Sequence, residues 1–296
     1  MLSSPQREEG GIPPTRGGAG QLRPQTRTKE VAVRDARLLI LLAIGIGVGI
    51  GVVSDVRSAV GPVPAPPAVR VLLLDNSLER PIYVPERQWG PYLGDARCDV
   101  VHMPGGDSVP PLDDYTHMII SGSTASLVDP PEWAAAEAEL VRLAAAQGIS
   151  ILGSCFGHQM LAYALSGVEY VKPAARPEIG WIEVAMAAED ELFEGTPDLW
   201  HAFAWHYDEV VDPPSPWRVL GGSADCAVHV MRYGDARVWG LQSHPETRPF
   251  TAKLLLLLDL LVFDWGSEEV TAALFQRPRD DRIIREVVER FLGGDS

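Results

Sequence analysis

Short apolar runs that suit buried strands alternate with stretches of helical spacing from residue 69 onward. Strands buried on both faces are almost continuous in large aliphatic residues, whereas helices repeat apolar residues every three or four positions. The first four predicted strands cover residues 70–75, 99–103, 115–120 and 149–152. Strands that alternate with helices form parallel βαβ units. We therefore expect an α/β fold, with a doubly wound, mostly parallel sheet and flanking helices.

The second half of the chain predicts further strands, which are mostly short and partly antiparallel. They cover residues 168–171, 181–187, 217–221, 227–232 and 238–242. Before them, an N-cap acid and proline at Asp129-Pro130 predict the start of a helix that runs to Gly148. Three more helices are predicted, one very apolar and two more charged, at residues 251–262, 267–275 and 281–291.

The N-terminal stretch has a different composition. Residues 1–37 are rich in Gly, Pro, Arg and Ser, and we expect them to be disordered. Residues 38–53 form an unbroken run of sixteen apolar residues, which is marginal because a bilayer span takes about twenty. This run is interpreted as a membrane anchor, as a signal peptide, or as part of a leader that is not translated. Residues 54–68 form a Pro-rich linker.

The main domain is predicted to cover residues 69–266, followed by a C-terminal helical tail at residues 267–296. Contact with a membrane is expected only if segment 38–53 is a real anchor. Otherwise we expect a cytoplasmic protein, with a membrane-anchored or exported form as the alternative.

The charge balance and the cysteine count exclude several classes of function. The net charge is −15 over 296 residues. The residues before Leu38 have a net charge of +3, so the remaining residues have a net charge of −18. An acidic body argues against a nucleic-acid partner. Three cysteines, Cys98, Cys155 and Cys226, are too few and too scattered to predict a disulfide framework or a zinc site. No metal or other cofactor is expected.

The stretch from Ile149 to Gly167 carries the strongest candidate chemistry. An apolar strand leads into Gly153-Ser154-Cys155-Phe156-Gly157, and helical spacing follows. Cys155 therefore lies on a sharp strand-to-helix turn between two glycines, which is the geometry of a nucleophile elbow. The positive end of the helix dipole favours thiolate there. Cys155 is the predicted nucleophile.

A second polar group follows the last predicted strand, in Gln242-Ser243-His244-Pro245-Glu246. The residue before a proline favours extended backbone, so these alternate side chains should share one face. Active sites of open α/β sheets lie at the carboxyl ends of the strands. His244 is thus the predicted proton carrier and Glu246 the group that orients it.

An acyl transfer also needs donors for the developing oxyanion. The backbone N–H of Phe156 follows the nucleophile at the start of a helix and is one candidate. The second donor must come from another loop at the same edge, and the Gly122-Ser123 turn after the third strand is the best candidate.

These segments resemble the class I, triad-type glutamine amidotransferases. Residues 153–159 resemble their G-x-C-x-G-x-Q elbow, residues 240–246 their G-x-Q-x-H-P-E segment, and residues 205–210 their H-x-D-x-V segment. The resemblance implies hydrolysis of the side-chain amide of glutamine through a γ-glutamyl thioester on Cys155. It also implies that Gln159 contacts the bound substrate and that His206 and Asp208 lie near its α-carbon groups.

The oxyanion loop departs from the family pattern. It commonly reads S-G-G-P or S-N-G-P in the family, and here it reads Ser121-Gly122-Ser123-Thr124. This form is similar to stand-alone relatives, among them γ-glutamyl peptidases and the GMP synthase-like group. A serine keeps its backbone N–H, so the oxyanion hole is expected to form, and γ-glutamyl compounds other than glutamine are also candidate substrates.

Three functions follow as hypotheses. The first is a glutaminase that acts on a small molecule and feeds ammonia to a separate synthase subunit, since no P-loop signature or synthase domain is visible in the sequence. The second is a stand-alone hydrolase of γ-glutamyl conjugates. The third is a non-catalytic regulatory domain that has kept the fold.

Overall fold

The computed structural model describes residues 69–80, 82–263 and 268–293. All of them belong to one structural unit, Ser58–Ser296. The predictions for residues 1–68 lie outside the described residues. Within the described ranges, no helix has both the length and the apolar character needed to cross a bilayer.

One mixed sheet organises the described residues, and its nine strands follow the order β2-β1-β3-β4-β9-β8-β7-β5-β6. The first five strands in that order pair in parallel and the remaining ones pair antiparallel. The strands are β1 Arg70–Asp75, β2 Arg97–His102, β3 His117–Ile120, β4 Ser150–Ser154, β5 Val171–Met186, β6 Leu199–Val210, β7 Trp217–Gly222, β8 Val230–Tyr233 and β9 Val238–Leu241.

Helices cover both faces of the sheet, as the prediction of a doubly wound fold required. They are α1 Pro85–Trp89, α2 Ala134–Ala146, α3 Phe156–Leu165, α4 Pro249–Leu258, α5 Glu268–Phe275 and α6 Ile284–Phe291. Alternate residues of β1 enter different cores, because successive side chains of a strand point to opposite faces. Leu72 and Leu74 pack with α2 and α3, whereas Val71 and Leu73 pack with α6. The predicted fold class is confirmed.

The largest difference from the predicted elements is the β5–β6 hairpin. Residues 168–171 were predicted to form a strand, but Val168–Tyr170 is a 3₁₀ turn and β5 then runs for 16 residues. The sequence pattern indicated no strand at β6, because histidines, alanines and acids interrupt its apolar positions. Its twelve residues are extended because they pair antiparallel with β5.

The helix boundaries also differ. The helix predicted from Asp129 begins at Ala134, with Trp133 as its N-cap. The apolar α-helix α4 ends at Leu258, and a π-helix follows directly over Asp259–Phe263. The last helix, α6, packs in the second core, where Val287, Val288 and Phe291 are fully buried. The carbonyl of Phe291 accepts a hydrogen bond of 2.9 Å from Nε2 of His117, the first residue of β3.

Candidate active site

The turn between β4 and α3 holds Cys155 in a rare backbone conformation. Its φ is 50° and its ψ is −107°, a region that residues with a Cβ seldom adopt and that costs about 1–3 kcal/mol. The backbone N–H of Cys155 donates to Leu241 O at 2.8 Å, which ties the turn to the end of β9. The geometry is that of a nucleophile elbow, as predicted from the sequence.

The two glycines of the elbow are required by close packing. A Cβ on Gly153 would lie 2.5 Å from the backbone of Gly157, and one on Gly157 would lie 2.2 Å from Ile120 O. Both distances are far below van der Waals contact. Any larger residue at either position would separate α3 from the sheet and move Cys155.

His244 and Glu246 lie beside the elbow, beyond the end of β9. The backbone N–H of His244 donates to Phe203 O at 2.7 Å, which anchors the loop on β6. His244 Nδ1 lies 2.9 Å from Glu246 Oε1, and Ser154 Oγ donates to the same oxygen at 3.2 Å. Glu246 is fully buried. The carboxylate thus fixes the proton on Nδ1 and leaves Nε2 for Cys155.

The charges around His244 favour its protonated form. Burial by itself lowers the pKa of His244, but the negative charges of Cys155 and Glu246 and hydrogen bonds with both raise that pKa to about 10. A thiolate beside an imidazolium is the resting state of an activated cysteine nucleophile. The three predicted residues therefore form one connected group.

The candidate oxyanion loop lies beside this group. Gly122 and Ser123 line the cavity together with Cys155 and His244, and Ser123 Oγ accepts from the backbone N–H of Ala125 at 3.1 Å. Phe156 begins α3, where the first N–H groups have no partner within the helix. Its ring packs on Trp133, with 5.3 Å between ring centroids. The loop thus lines the same cavity as Cys155, and the start of α3 follows Cys155 directly in the chain.

A cavity of about 510 Å³ opens over Cys155, and Gln159, His206 and Asp208 line it. Gln159 Nε2 donates to Asp208 O at 2.7 Å and to Gln242 Oε1 at 3.3 Å. Ser126 Oγ donates to Asp208 Oδ2 at 2.5 Å. The structure therefore brings together the three residues that the family resemblance assigned to the substrate.

His206 differs from its two neighbours, because both of its ring nitrogens are bonded inside the protein. Nδ1 lies 3.0 Å from Asp208 O, and Nε2 lies 3.0 Å from Glu178 Oε2. Burial disfavours the charged form of Glu178, but hydrogen bonds from His206, His229 and Ser223 hold its pKa well below the usual range. His206 thus supports the backbone of the Asp208 segment.

The sequence patterns did not identify several residues that line the cavity. Tyr83 has a buried hydroxyl with no hydrogen-bond partner in the described part of the chain, and it faces the cavity. Burial first, then the negative charges of Glu246 and Cys155, raise the pKa of Tyr83 well above its usual value. Glu79, Leu255, Leu258 and Asp259 also line the cavity. No local motif marks them, since they lie on a loop and a helix far from the elbow in sequence.

Known proteins with similar sequences include subunits of GMP synthases. A glutamine-hydrolyzing GMP synthase subunit of Saccharolobus solfataricus is 39% identical over 100 residues, which are 34% of this chain and 52% of the relative. The corresponding protein of Sulfolobus acidocaldarius is 31% identical over 157 residues, covering 53% of this chain and 79% of the relative. The chain thus spans about half the length of the first of these relatives and more of the second.

Solved structures share the fold. A glutamine amidotransferase from Methylobacillus flagellatus superposes with a TM-score of 0.63 at 24% identity, over 76% of this chain and 94% of that chain. One from Thermotoga maritima has a TM-score of 0.60 at 22% identity, over 76% and 98% of the two chains. The family model "Glutamine amidotransferase class-I" matches residues 92–262, more than half of the chain. With the elbow and the histidine–glutamate pair in place, this match shows that the chain belongs to the class-I glutamine amidotransferase family.

Proposed function

We propose that this protein hydrolyses the side-chain amide of glutamine at Cys155. The observation that carries the proposal is the position of the His244 ring, which is hydrogen-bonded to Glu246 at 2.9 Å and paired with the Cys155 sulfur. The thiolate attacks the γ-carbonyl carbon, and His244 then donates its proton to the nitrogen as the C–N bond breaks. Ammonia leaves, and a γ-glutamyl thioester remains on Cys155.

Water completes the cycle. Neutral His244 removes a proton from the water that attacks the thioester, the C–S bond breaks, and glutamate leaves. Glu246 keeps the imidazole in one tautomer through both steps. The backbone N–H groups of Phe156 and of the Gly122-Ser123 turn stabilise the oxyanion, because donors placed in advance cost no reorganisation.

The substrate is held on the side of the cavity opposite His244. Gln159 and the Asp208 carboxylate face the α-carbon groups of the bound glutamine, and Asp208 complements an α-ammonium. His206 acts through the backbone of this segment, since its own ring nitrogens are already bonded.

The ammonia is used by a separate synthase. This part of the proposal is supported by the relatives, which are named as one subunit of a glutamine-hydrolyzing GMP synthase. The cytoplasm, where such a synthase would work, is the proposed location.

The test is release of glutamate from glutamine by the full chain, with Cys155→Ser as the matched control. Wild type should release glutamate, and acid-quenched wild type should carry a glutamyl group at Cys155 by mass spectrometry. Equal release by the variant would overturn the mechanism. If the wild-type protein alone releases no glutamate, addition of a synthase captured with it should restore glutamate release. No release in the presence of that synthase would contradict the proposed partner.

The size and charge of the cavity favour a second candidate, hydrolysis of a larger γ-glutamyl amide. Three carboxylates line the cavity, and no lysine or arginine does so among the described residues. Beside them lies an apolar wall that includes Leu255 and Leu258. A leaving amine with a positive charge and an apolar arm would suit this surface. Faster release from a γ-glutamyl diamine than from glutamine would establish this activity, and the reverse order would exclude it.

A non-catalytic role is the remaining alternative from the sequence. It predicts that cells carrying Cys155→Ala behave as wild type. The strained elbow and the connected group of Cys155, His244 and Glu246 favour catalysis, because strain and a buried carboxylate both cost stability.

A further inference from the structure

Four metal-ligating side chains meet inside the protein, behind the substrate side of the cavity. Glu178 lies on β5, His206 lies opposite it on β6, and Cys226 and His229 precede β8. Ligand atoms of Glu178, His206 and Cys226 all lie within 4.8 Å of one another. The Nε2 atoms of His206 and His229 lie 3.0 and 3.3 Å from the same oxygen, Glu178 Oε2. We refer to these four residues as the buried cluster.

The buried cluster is closed to solvent. The His206 and His229 side chains are 1% and 0% exposed, and Cys226 is equally inaccessible. Nδ1 of His229 has no hydrogen-bond partner among the described residues, and its Nε2 shares one oxygen of Glu178 with His206. A buried polar group without a partner costs about 1–3 kcal/mol, so the hydrogen bonds within the protein leave this group incompletely satisfied.

The donors of the buried cluster suit a zinc ion. Two imidazoles, one thiolate and one carboxylate are ordinary zinc donors, and four protein ligands with no open position are typical of a structural site. Bond lengths of about 2.0–2.3 Å place tetrahedral ligand atoms roughly 3.3–3.8 Å apart. The two histidine nitrogens lie 3.0 and 3.3 Å from Glu178 Oε2, and the ligand atoms of Glu178, His206 and Cys226 lie within 4.8 Å of one another. One carboxylate and one thiolate also neutralise the charge of Zn²⁺, which suits a buried position.

The neighbours of the buried cluster are those of a metal site. A ligating histidine usually donates its other ring N–H to a backbone carbonyl or a carboxylate, and His206 Nδ1 donates to Asp208 O at 3.0 Å. Ligating carboxylates are themselves hydrogen-bonded, and Ser223 Oγ donates to Glu178 Oε1 at 2.6 Å.

We propose that a structural zinc ion binds at the buried cluster of Glu178, His206, Cys226 and His229. The ion fixes the Asp208 segment, because His206 holds the same carbonyl that receives Gln159 Nε2 at 2.7 Å. Metal binding is independent of the proposed glutaminase activity. Only the effect of the metal on substrate affinity rests on that activity.

The test measures metal in the full chain expressed in zinc-supplemented medium. Wild type should carry about one zinc per chain by plasma mass spectrometry, and Cys226→Ser should lose it. Cys155→Ala is the control against zinc held at the nucleophile, and it should retain the metal. Cys98→Ser, a cysteine outside both sites, should also retain it.

Cobalt substitution provides a direct readout on the wild-type fold. Co²⁺ in the buried cluster should give the visible bands of a tetrahedral site and a thiolate charge-transfer band, the latter absent from Cys226→Ser. Ser223→Ala keeps all four ligands and should weaken zinc affinity by about 10- to 100-fold. Removal of the metal should lower the Tm and raise the KM more than it lowers kcat.

Two results would overturn the proposal. One is wild type with no more zinc or cobalt than Cys226→Ser under these conditions. The other is metal that is lost from Cys155→Ala and retained by Cys226→Ser, which would place the ion at the nucleophile instead.

Discussion

Gly122 lies directly against the imidazole of His244. A Cβ at Gly122 would be 2.4 Å from His244 Cε1 and 3.3 Å from both ring nitrogens. The loop that should bind the oxyanion therefore also forms one wall of the histidine site. This contact explains why the second residue of Ser121-Gly122-Ser123-Thr124 has no side chain, while its neighbour is a serine.

Gly122→Ala should impair catalysis without unfolding the protein. The imidazole must move by about 1 Å to admit the methyl group, and a displacement of that size costs about 100-fold in rate. The measurement is kcat for glutamate release, with thermal unfolding as the check on stability. Ser123→Ala is the matched control, since it keeps the backbone N–H, and it should retain most of the activity. Equal rates for Gly122→Ala and wild type would show that the contact does not position His244.

Cys155→Gly should be more stable than Cys155→Ala, although both are inactive. The backbone at Cys155 is strained for any residue with a Cβ, and glycine relieves a strain of about 1–3 kcal/mol. The greater freedom of glycine in the unfolded chain offsets up to about 1 kcal/mol of this gain. Chemical unfolding of the two variants should therefore differ by about 1 kcal/mol. An alanine variant as stable as the glycine variant would show that the turn is unstrained.

Glu246→Gln should move the alkaline limit of activity to lower pH. His244 must be protonated to deliver a proton to the leaving amine, and the negative charge of Glu246 contributes to a pKa of about 10. Removal of that charge lowers the pKa of His244 toward its usual 6.5. The pH profile of kcat/KM should then fall at lower pH than in wild type. An unchanged alkaline limb would exclude His244 as the proton donor.

Glu137→Gln should change how stability depends on pH. Glu137 is fully buried, and burial raises its pKa from 4.5 to about 8, against the opposing effect of a hydrogen bond from Asn76. Between these values the unfolded chain has lost the proton and the folded chain keeps it, so the wild type loses stability as pH rises. Glutamine does not titrate. The free energy of unfolding of the variant, relative to that of wild type, should therefore increase from pH 5 to pH 8. A difference between the two proteins that stays constant over this range would contradict the raised pKa.

Local sequence determined the parts of the site that depend on near neighbours in the chain. Glycines two residues on either side of Cys155 specify a tight strand-to-helix turn. The alternation of His244 and Glu246 around a proline specifies a pair that can bond. The apolar runs of β1, β3 and β4 specify buried parallel strands, because such runs can be covered only by helices on both faces. The family resemblance rested on these same segments.

Only the tertiary structure decided which distant residues meet. The β6 strand has little apolar pattern of its own and is extended because β5 pairs with it, so its position could not be read from periodicity. The contact of Gly122 with His244 and the entry of Tyr83 into the cavity depend on how loops from separate strands pack. The buried cluster is the clearest case. Their spacing along the chain offered no reason to group these residues, whereas the register of the β5–β6 hairpin places Glu178 opposite His206, and the chain before β8 brings Cys226 and His229 to them. Spacing along a sequence reports neighbours within a turn or a strand, whereas pairing between strands joins residues separated by any length of chain.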